Sequence, residues 1–267
     1  MAREAYGAWH SGCNAYLSEV THMMPLPKTT ETDSSSSSSD ELLVHILEGF
    51  RFQVCQDPWQ AAEALEVRRQ VYLEDSGYEI PIPDEYDRRS WLITATEIAT
   101  GKIVGSIRVT PRFGGTLEAE EYFTLPAHLR TPKAYEISRF AILPGYRKGK
   151  TFLPVVSLGL FKTVQTLLER VGAHYMVICA KPERVWTFEW IRFEHTGLTA
   201  RYTKLNDAEH ALLAYDFTAE KDTMSDHPLR AYWLDIVYPQ VIVPKRLPAL
   251  GLGGETASRY IRMAVGA

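Results

Sequence analysis

The sequence predicts an α/β (α+β) protein built on a mixed, mostly antiparallel central sheet with helices on both faces. Three observations lead there. Runs rich in β-branched and aromatic residues alternate with helix-period segments from Phe50 onward. Two such runs, residues 91–98 and 103–110, are separated only by a turn at Thr100-Gly101, which makes an antiparallel hairpin. Further on, a strand at 135–142, a helix at 151–171 and a strand at 175–180 form a strand–helix–strand unit. Hairpins early and a crossover later require a mixed sheet flanked on both sides.

The elements follow in order. Residues 50–56 read as a strand. Asp57-Pro58-Trp59-Gln60 then starts a helix, with Asp57 as N-cap, Pro58 at the first position and Gln60 placed to close a capping box. That helix is expected to run to about Asp75. Residues 77–87 hold Pro81 and Pro83 and read as a loop. A glycine-containing basic loop at 145–150 precedes the long helix. A helix over 182–194 and strands over 198–204 and 211–218 complete the sheet, and no element is assigned after Lys221. The segment 29–40 is nearly all Thr, Ser, Asp and Glu, with six consecutive serines at 34–39. It has too little apolar surface to offset its ordering entropy. The expected organisation is a disordered Ser-rich arm over 1–44, a folded domain over 45–225 and a C-terminal extension over 226–267.

With 267 residues and a net charge of −4, the chain can build a sizeable core and is no charge-driven nucleic-acid binder. The three cysteines, Cys13, Cys55 and Cys179, are widely spaced and form no CxxC pair. Neither a disulfide framework nor a zinc site is expected, and the histidines show no HxxxH or HExxH spacing, so no metal is expected. Arg3 and Glu4 are followed by no sustained apolar run. The longest apolar stretch, 152–168, is interrupted by Lys162 and Gln165 and is too polar to cross a bilayer. The expectation is a cytoplasmic protein with no integral membrane association.

Charge placement gives the sharper signal. On a helix at about 100° per residue, Ala61, Ala64, Leu65, Val71 and Tyr72 share an apolar face, opposite Glu63, Glu66, Gln70 and Glu74. Arg68 falls near the middle of that apolar face and Arg69 at its edge. Arg68 either pairs inside a polar cavity or snorkels to solvent. Asp84 and Asp87 lie in an acidic stretch that, taken alone, reads as a solvated turn. Arg108 sits in a strand between Ser106 and Thr110 at spacing two, a pattern that also fits a solvent face. In Glu136-Ile137-Ser138-Arg139-Phe140 the odd spacing puts Glu136 and Arg139 on opposite faces unless a bulge shifts the register. Together, Arg68, Arg108 and Arg139 stand against Asp84, Asp87 and Glu136. Such a set suits a cleft for a zwitterionic or amine-bearing substrate.

Pro144-Gly145-Tyr146-Arg147-Lys148-Gly149-Lys150-Thr151 leads from a strand into the long helix. Free N–H groups and the dipole at a helix N-terminus attract phosphate, and Arg147, Lys148 and Lys150 add charge, with Thr151 as N-cap. An ordinary basic turn is the competing reading. The glycine spacing is not that of a Walker loop, so ATP hydrolysis is not expected.

This loop resembles the pyrophosphate loop of the GNAT acyltransferase superfamily, although Arg-x-x-Gly-x-Gly/Ala is only partly met. The ordered set Arg68, Tyr72, Tyr78, Asp84, Asp87, Gly105, Arg108, Phe123 and Glu136 to Phe140 is similar to the branch holding acyl-homoserine-lactone (autoinducer) synthases and N-acyl amino acid synthases. The likeness spans about residues 50–218. It departs in having Tyr for the usual Phe and Trp and a shorter gap before the acidic pair.

The resemblance implies a GNAT-like sheet with a splayed central strand pair that admits a pantetheine arm. It implies N-acyl transfer from an acyl carrier protein thioester, with acyl-CoA as the other donor, to an amino acid or amino-acid-derived amine. No cofactor is permanently bound. Glu136 and Arg139 are the catalytic candidates: Glu136 acts as base directly or through water, or it only orients Arg139. Arg68, Tyr72, Tyr78, Asp84, Asp87, Arg108 and Phe123 shape the acceptor pocket. Backbone groups of Phe140, Ala141 and Ile142 serve the oxyanion and pantetheine. Arg147, Lys148, Lys150 and Thr151 meet the phosphopantetheine phosphate or the carrier protein. The alternatives are an acetyl-CoA-dependent N-acetyltransferase and a non-catalytic module that binds acyl carrier protein. Cys179 reads as a packed core cysteine rather than an acyl-enzyme nucleophile. Trp186, Trp190 and Phe193, at helical spacing, read as core, with an acyl tunnel as the lesser option.

Overall fold

Asp57 does start a helix: its side chain accepts from the Gln60 backbone N–H, and Gln60 Oε1 accepts from the Gln56 backbone N–H. The return bond of the box therefore goes one residue further out than expected. This cap joins strand β1 (Phe50–Val54) to helix α1 (Pro58–Arg69). The computed structural model describes residues 47–147, 155–219, 238 and 240–252. All of them fall in one compact unit, Leu47–Ala267. The Ser-rich arm, Lys148, Lys150, Thr151 and the first turn of the expected long helix lie outside the described residues.

The first helix does not continue to Asp75 as an α-helix. It ends at Arg69, and Gln70–Asp75 winds as a π-helix, with Ser76 N–H donating to Val71 O. Tyr72 still packs with Val67 and Val71 against Ala141 of the sheet. Arg69, the edge residue, is part-exposed and pairs with Glu66 and Glu74.

The remaining strands are β2 (Trp91–Glu97), β3 (Ile103–Pro111), β4 (Ala134–Ile142), β5 (Tyr175–Ala180), β6 (Glu194–Tyr202), β7 (Ala208–Asp216) and β8 (Val241–Ile242). Helices α2 (Val155–Arg170) and α3 (Pro182–Trp190) flank β5 in sequence. The predicted helix over 182–194 stops early because Arg192 adopts a left-handed φ of 70°. Strand β6 starts sooner than expected because a bulge between His195 and Thr199, containing Gly197 at φ 82°, carries the pairing across an apparent loop.

Among the described residues, eight strands form one sheet in the order β6-β7-β5-β4-β3-β2-β1-β8, in which only β4–β5 and β1–β8 pair in parallel. Helix α1 covers the face that bears Ser106 and Arg108, where Ser106 Oγ donates to Ala64 O at 3.2 Å. Helix α2 covers the other face, where the missing side chain of Gly105 lets Val156 and Leu160 approach. Val164, Leu167 and Leu168 of α2 are fully buried. Each such side chain contributes about 1.5–3 kcal/mol by leaving water. The described part of the C-terminal extension adds β8 at the sheet edge, with Phe52 N–H donating to Gln240 O at 2.8 Å and Trp91 Nε1 to Pro248 O at 3.1 Å. No helix among the described residues is long and apolar enough to cross a membrane.

Two irregularities open the middle of this sheet. Strand β4 bulges: Ser106 faces Ala141 but Arg108 faces Ser138, so Ile107 stands opposite both Arg139 and Phe140. Strands β4 and β5 then part. Their pairing ends at Ile137 and Ile178, while β4 runs on to Ile142 and β5 to Ala180. The splayed strand pair expected from the sequence is therefore present. Of the aromatic triplet, only Phe193 is core; it lines a small cavity with Phe161, Gln165, Met176, Ile191 and Tyr215. Trp186 faces outward at 37% exposure, because α3 is short and buries only Thr187.

Candidate active site

The acidic pair is fixed by backbone. Asp84 caps the short helical turn Glu85–Arg89, accepting from the N–H groups of Tyr86 and Asp87, while Asp87 accepts from the Asp84 N–H at 2.8 Å. This reciprocal box buries both carboxylates instead of leaving a solvated acidic turn.

The arginines meet them from three elements. Arg68 Nη1, on α1, donates to both Asp87 oxygens at 2.8 Å. Arg108, on β3, pairs through Nη1 with Asp84 and, at 3.5 Å, with Asp87. Its Nε donates to Ser138 Oγ at 3.1 Å and its Nη2 to Glu118 Oε2 at 2.5 Å. Arg139, on β4, donates from Nε to Asp84 Oδ2 at 3.0 Å and from Nη2 to Glu118 Oε1 at 2.5 Å. The bulge places Arg139 at a left-handed φ of 54°, turning its guanidinium to the side of Asp84 and Glu118. A non-glycine residue there stores roughly 1–3 kcal/mol of strain, offset here by two buried ion pairs.

One member of the expected six-charge set is corrected. The third acid paired with the arginines is Glu118, in the turn Glu118–Glu121, not Glu136. An acidic run after Gly114-Gly115 has the pattern of a surface turn, and the local sequence signal against it is the pair of apolar flanks, Leu117 and Ala119, which the fold buries fully. Glu136 makes no ion pair among the described residues and accepts the Ala119 N–H at 3.1 Å.

The electrostatics separate the acids. Burial works against the Asp84 carboxylate, yet Arg108, Arg139 and Arg68 hold it down at about 2. For Glu136, burial is the main cause and the like charge of Glu118 adds to it. Together they push its pKa from 4.5 to about 7, against the pull of Arg108, the Ala119 N–H and Arg139. Burial also disfavours the charged Arg139, but Glu118 and Asp84 outweigh it and raise the guanidinium pKa. A buried carboxyl that titrates near neutrality, one residue before the strands part, is equipped to accept and return a proton.

The other candidates fall around this centre. Tyr72 Oη donates to Phe140 O at 3.3 Å, and its ring lies 5.7 Å from that of Tyr78. Lys181, just beyond β5, donates to Tyr78 Oη at 2.8 Å. The two tyrosines and Lys181 thus span the opening between β4 and β5. Ala141 and Ile142 stand opposite Ser106 and Gly105 in the ladder. Ile142 O accepts from Arg147 Nε at 2.5 Å, and Arg147 Nη1 pairs with Asp75 at 2.5 Å. Phe123 packs with Leu117, Leu125, Leu129, Val177, Tyr202 and Leu212 in an apolar cluster on which half-buried Cys179 also rests. Burial raises the Cys179 thiol well above its ordinary value, which suits packing rather than nucleophilic attack.

A mixed sheet parted between β4 and β5, with a buried acid one residue before the fork, is the fold expected of a GNAT-like acyltransferase. The family model described as N-acyl amino acid synthase FeeM matches residues 63–216, and the chain belongs to that family. The solved FeeM, an N-acyl amino acid synthase from uncultured soil microbes, is 15% identical. The match covers 62% of this chain and 89% of that one, with a TM-score of 0.52. BjaI, a CoA-dependent acyl-homoserine lactone synthase, is 17% identical over 78% of this chain and 99% of its own, with a TM-score of 0.54. TofI, solved with an inhibitor and MTA, is 20% identical over 69% and 97%, with a TM-score of 0.51. These structural likenesses show the shared fold. No curated protein matches the chain in sequence.

Proposed function

We propose that this acyltransferase moves a fatty acyl group from the phosphopantetheine thioester of acyl carrier protein to the amine of an amino acid, within the cytoplasm. The observation that carries the reading is Glu136: buried, beside the point where the sheet opens, and titrating at about 7. The domain over 45–225 supplies the chemistry, and Val241–Ile242 from the extension adds a strand beside β1.

In this reading the thioester lies in the opening between β4 and β5. The acceptor nitrogen attacks the carbonyl carbon, and Glu136 takes the proton that the nitrogen gives up. The carbonyl oxygen gains negative charge, met by backbone N–H groups of the Phe140, Ala141 and Ile142 stretch. The carbon–sulfur bond then breaks, and the proton passes from Glu136 to the departing sulfur, giving an amide and a free thiol. Asp84, Asp87 and Glu118 hold Arg68, Arg108 and Arg139 around the acceptor, with Tyr72 and Tyr78 above it. Phe123 bounds the apolar floor. Arg147, with Lys148, Lys150 and Thr151 beside it in sequence, offers a basic patch to the acidic carrier protein.

The test is reconstitution of the full chain with long-chain acyl carrier protein, long-chain acyl-CoA and acetyl-CoA, following free thiol and product mass. The expected result is thiol release with acyl carrier protein and an amino acid. Glu136→Gln should fold and run at least about 100-fold slower. Normal turnover by that variant removes the base assignment. Acetyl-CoA as best donor points to an acetyltransferase, and tight carrier binding without thiol release points to a binding module.

A further inference from the structure

Arg147 stands where two parts of the site meet. It closes the short turn after β4, and its Nε donates to Ile142 O at 2.5 Å. That bond fixes the guanidinium against the last residue of β4, beyond the point where β4 and β5 have parted. Its Nη1 pairs at 2.5 Å with Asp75, the last residue of the π-helical turn Gln70–Asp75. Its Nη2 is buried and has no hydrogen-bond partner among the described residues. The same two parts are packed together, since Val67, Val71 and Tyr72 meet Ala141, Leu143 and Tyr146.

The ion pair uses half of what the guanidinium offers. With Nε held by Ile142 O, the remaining end is a fork of two nitrogens, Nη1 and Nη2, which matches two oxygens of one anion. Asp75 takes only Nη1. A phosphodiester carries two oxygens free of ester bonds and can take both. The Arg147 and Asp75 side chains are 37% and 36% exposed, so an incoming anion can reach them, and an ion pair this open to water is weak.

We infer that Asp75 is a built-in competitor for the phosphate of the incoming phosphopantetheine at Arg147, so that donor docking releases the end of the π-helical turn. This rests on the proposed acyl transfer and adds a residue on which donor affinity depends. Arg147 keeps its bond to Ile142 O throughout. Nη1 changes partner, Nη2 gains one, and Asp75 turns to water. Tyr72 and Tyr78 still reach Phe140 O and Lys181, but the stretch between them loses its hold on the turn after β4. Asp75 thus works against the donor in the resting enzyme, and removing its charge strengthens binding instead of weakening it.

The experiment is calorimetric titration of the full chain with holo- and apo-acyl carrier protein, which differ by the phosphopantetheine group alone. Asp75→Asn, checked for folding by its melting curve, should bind the holo form about threefold tighter than the parent does, because no exposed ion pair has to be broken. Its affinity for the apo form should match the parent's. Glu74→Gln removes the same charge one residue away, from a carboxylate that pairs with Arg69, and should leave both affinities near the parent's. Arg147→Gln should bind the holo form more weakly, and adding Asp75→Asn to it should bring no gain. Amide exchange over residues 70–76 should speed up in the parent when the holo form binds, and be fast already in Asp75→Asn. Absent holo binding, no gain from Asp75→Asn, an equal gain from Glu74→Gln or toward the apo form, or a gain that persists without Arg147 overturns the inference. Thiol release from the acylated carrier separates the two readings. The expected pattern of affinities without thiol release leaves the competition standing and removes the acyl transfer. Thiol release with parental affinity in Asp75→Asn does the reverse.

Discussion

Arg139 Nη2 lies 2.5 Å from Glu118 Oε1, and this contact holds a bulged, left-handed residue beside the opening of the sheet. The same carboxylate also reaches Arg108 Nη2 at 2.5 Å. Its chain neighbour Ala119 donates to Glu136. Glu118 therefore touches both arginines and contributes to the field at Glu136. Replacing it with Gln takes one carboxylate partner from each of two buried cations, which keep Asp84, so the cost should fall at or below the about 3–5 kcal/mol of breaking a buried pair outright. It also removes the like charge that helps hold the Glu136 pKa up. The acid limb of the kcat/KM profile should move to lower pH in Glu118→Gln and stay near its place in Glu118→Asp. A purely structural Glu118 would lower the melting temperature and leave the limb where it is.

The sequence shows most of this centre and misplaces one member for a definable reason. Local chemistry marks Asp57 as a cap, Arg68 as out of place on its helix, and Glu136 and Arg139 as reconcilable only through a bulge. Each is a one-element inference. Glu118 is different, because its partners, Arg108 and Arg139, lie 10 and 21 residues away on two strands. Which acid neutralises which arginine depends on where the turn Glu118–Glu121 folds back over β3 and β4, and no short-range pattern encodes that. The π-helical turn is hidden similarly, since a wheel drawn at a fixed angle cannot show a change of pitch.

Tyr78 and Lys181 tie the loop after α1 to the end of β5 through a 2.8 Å hydrogen bond and a cation over the ring. Both groups are near the surface, so the bond contributes at most about 1 kcal/mol to global stability. Its effect should be local. Lys181→Met should leave the melting temperature within a few degrees of the parent. Amide exchange over residues 70–80 should become faster, because the segment loses its link across the opening. Unchanged exchange there would show that the link does not restrain the segment.

Gly159 lies directly beneath the Phe52 ring, and a Cβ at that position would overlap the ring atoms. Helix α2 can seat against β1 only because nothing projects there. Gly159→Ala should therefore destabilise the fold by at least about 1–3 kcal/mol despite alanine's better helix propensity. Combining it with Phe52→Leu should recover part of that loss, so the two effects will not add. Strict additivity in urea melts would mean the helix can shift without cost.

Glu136 also makes a prediction about stability, opposite in sign to that of Asp84. With a folded-state pKa of about 7 against an ordinary 4.5, Glu136 is protonated in both states at low pH. As pH rises from about 4.5 to 7, the unfolded chain releases the proton while the folded chain keeps it, and stability falls. The total is on the order of 3 kcal/mol, and it is fully lost above the folded value. Asp84, held at about 2 against 3.8, stabilises the fold above 3.8 and loses that contribution only as pH falls toward 2. The two windows do not overlap, so one substitution isolates the first. Glu136→Gln cannot ionise, and its melting temperature should exceed the parent's by several degrees at pH 8. The gap should close progressively toward pH 4.5. A gap that stays constant across this range would mean that Glu136 ionises at its ordinary value, and Glu136 would then have no special fitness as a base near neutrality.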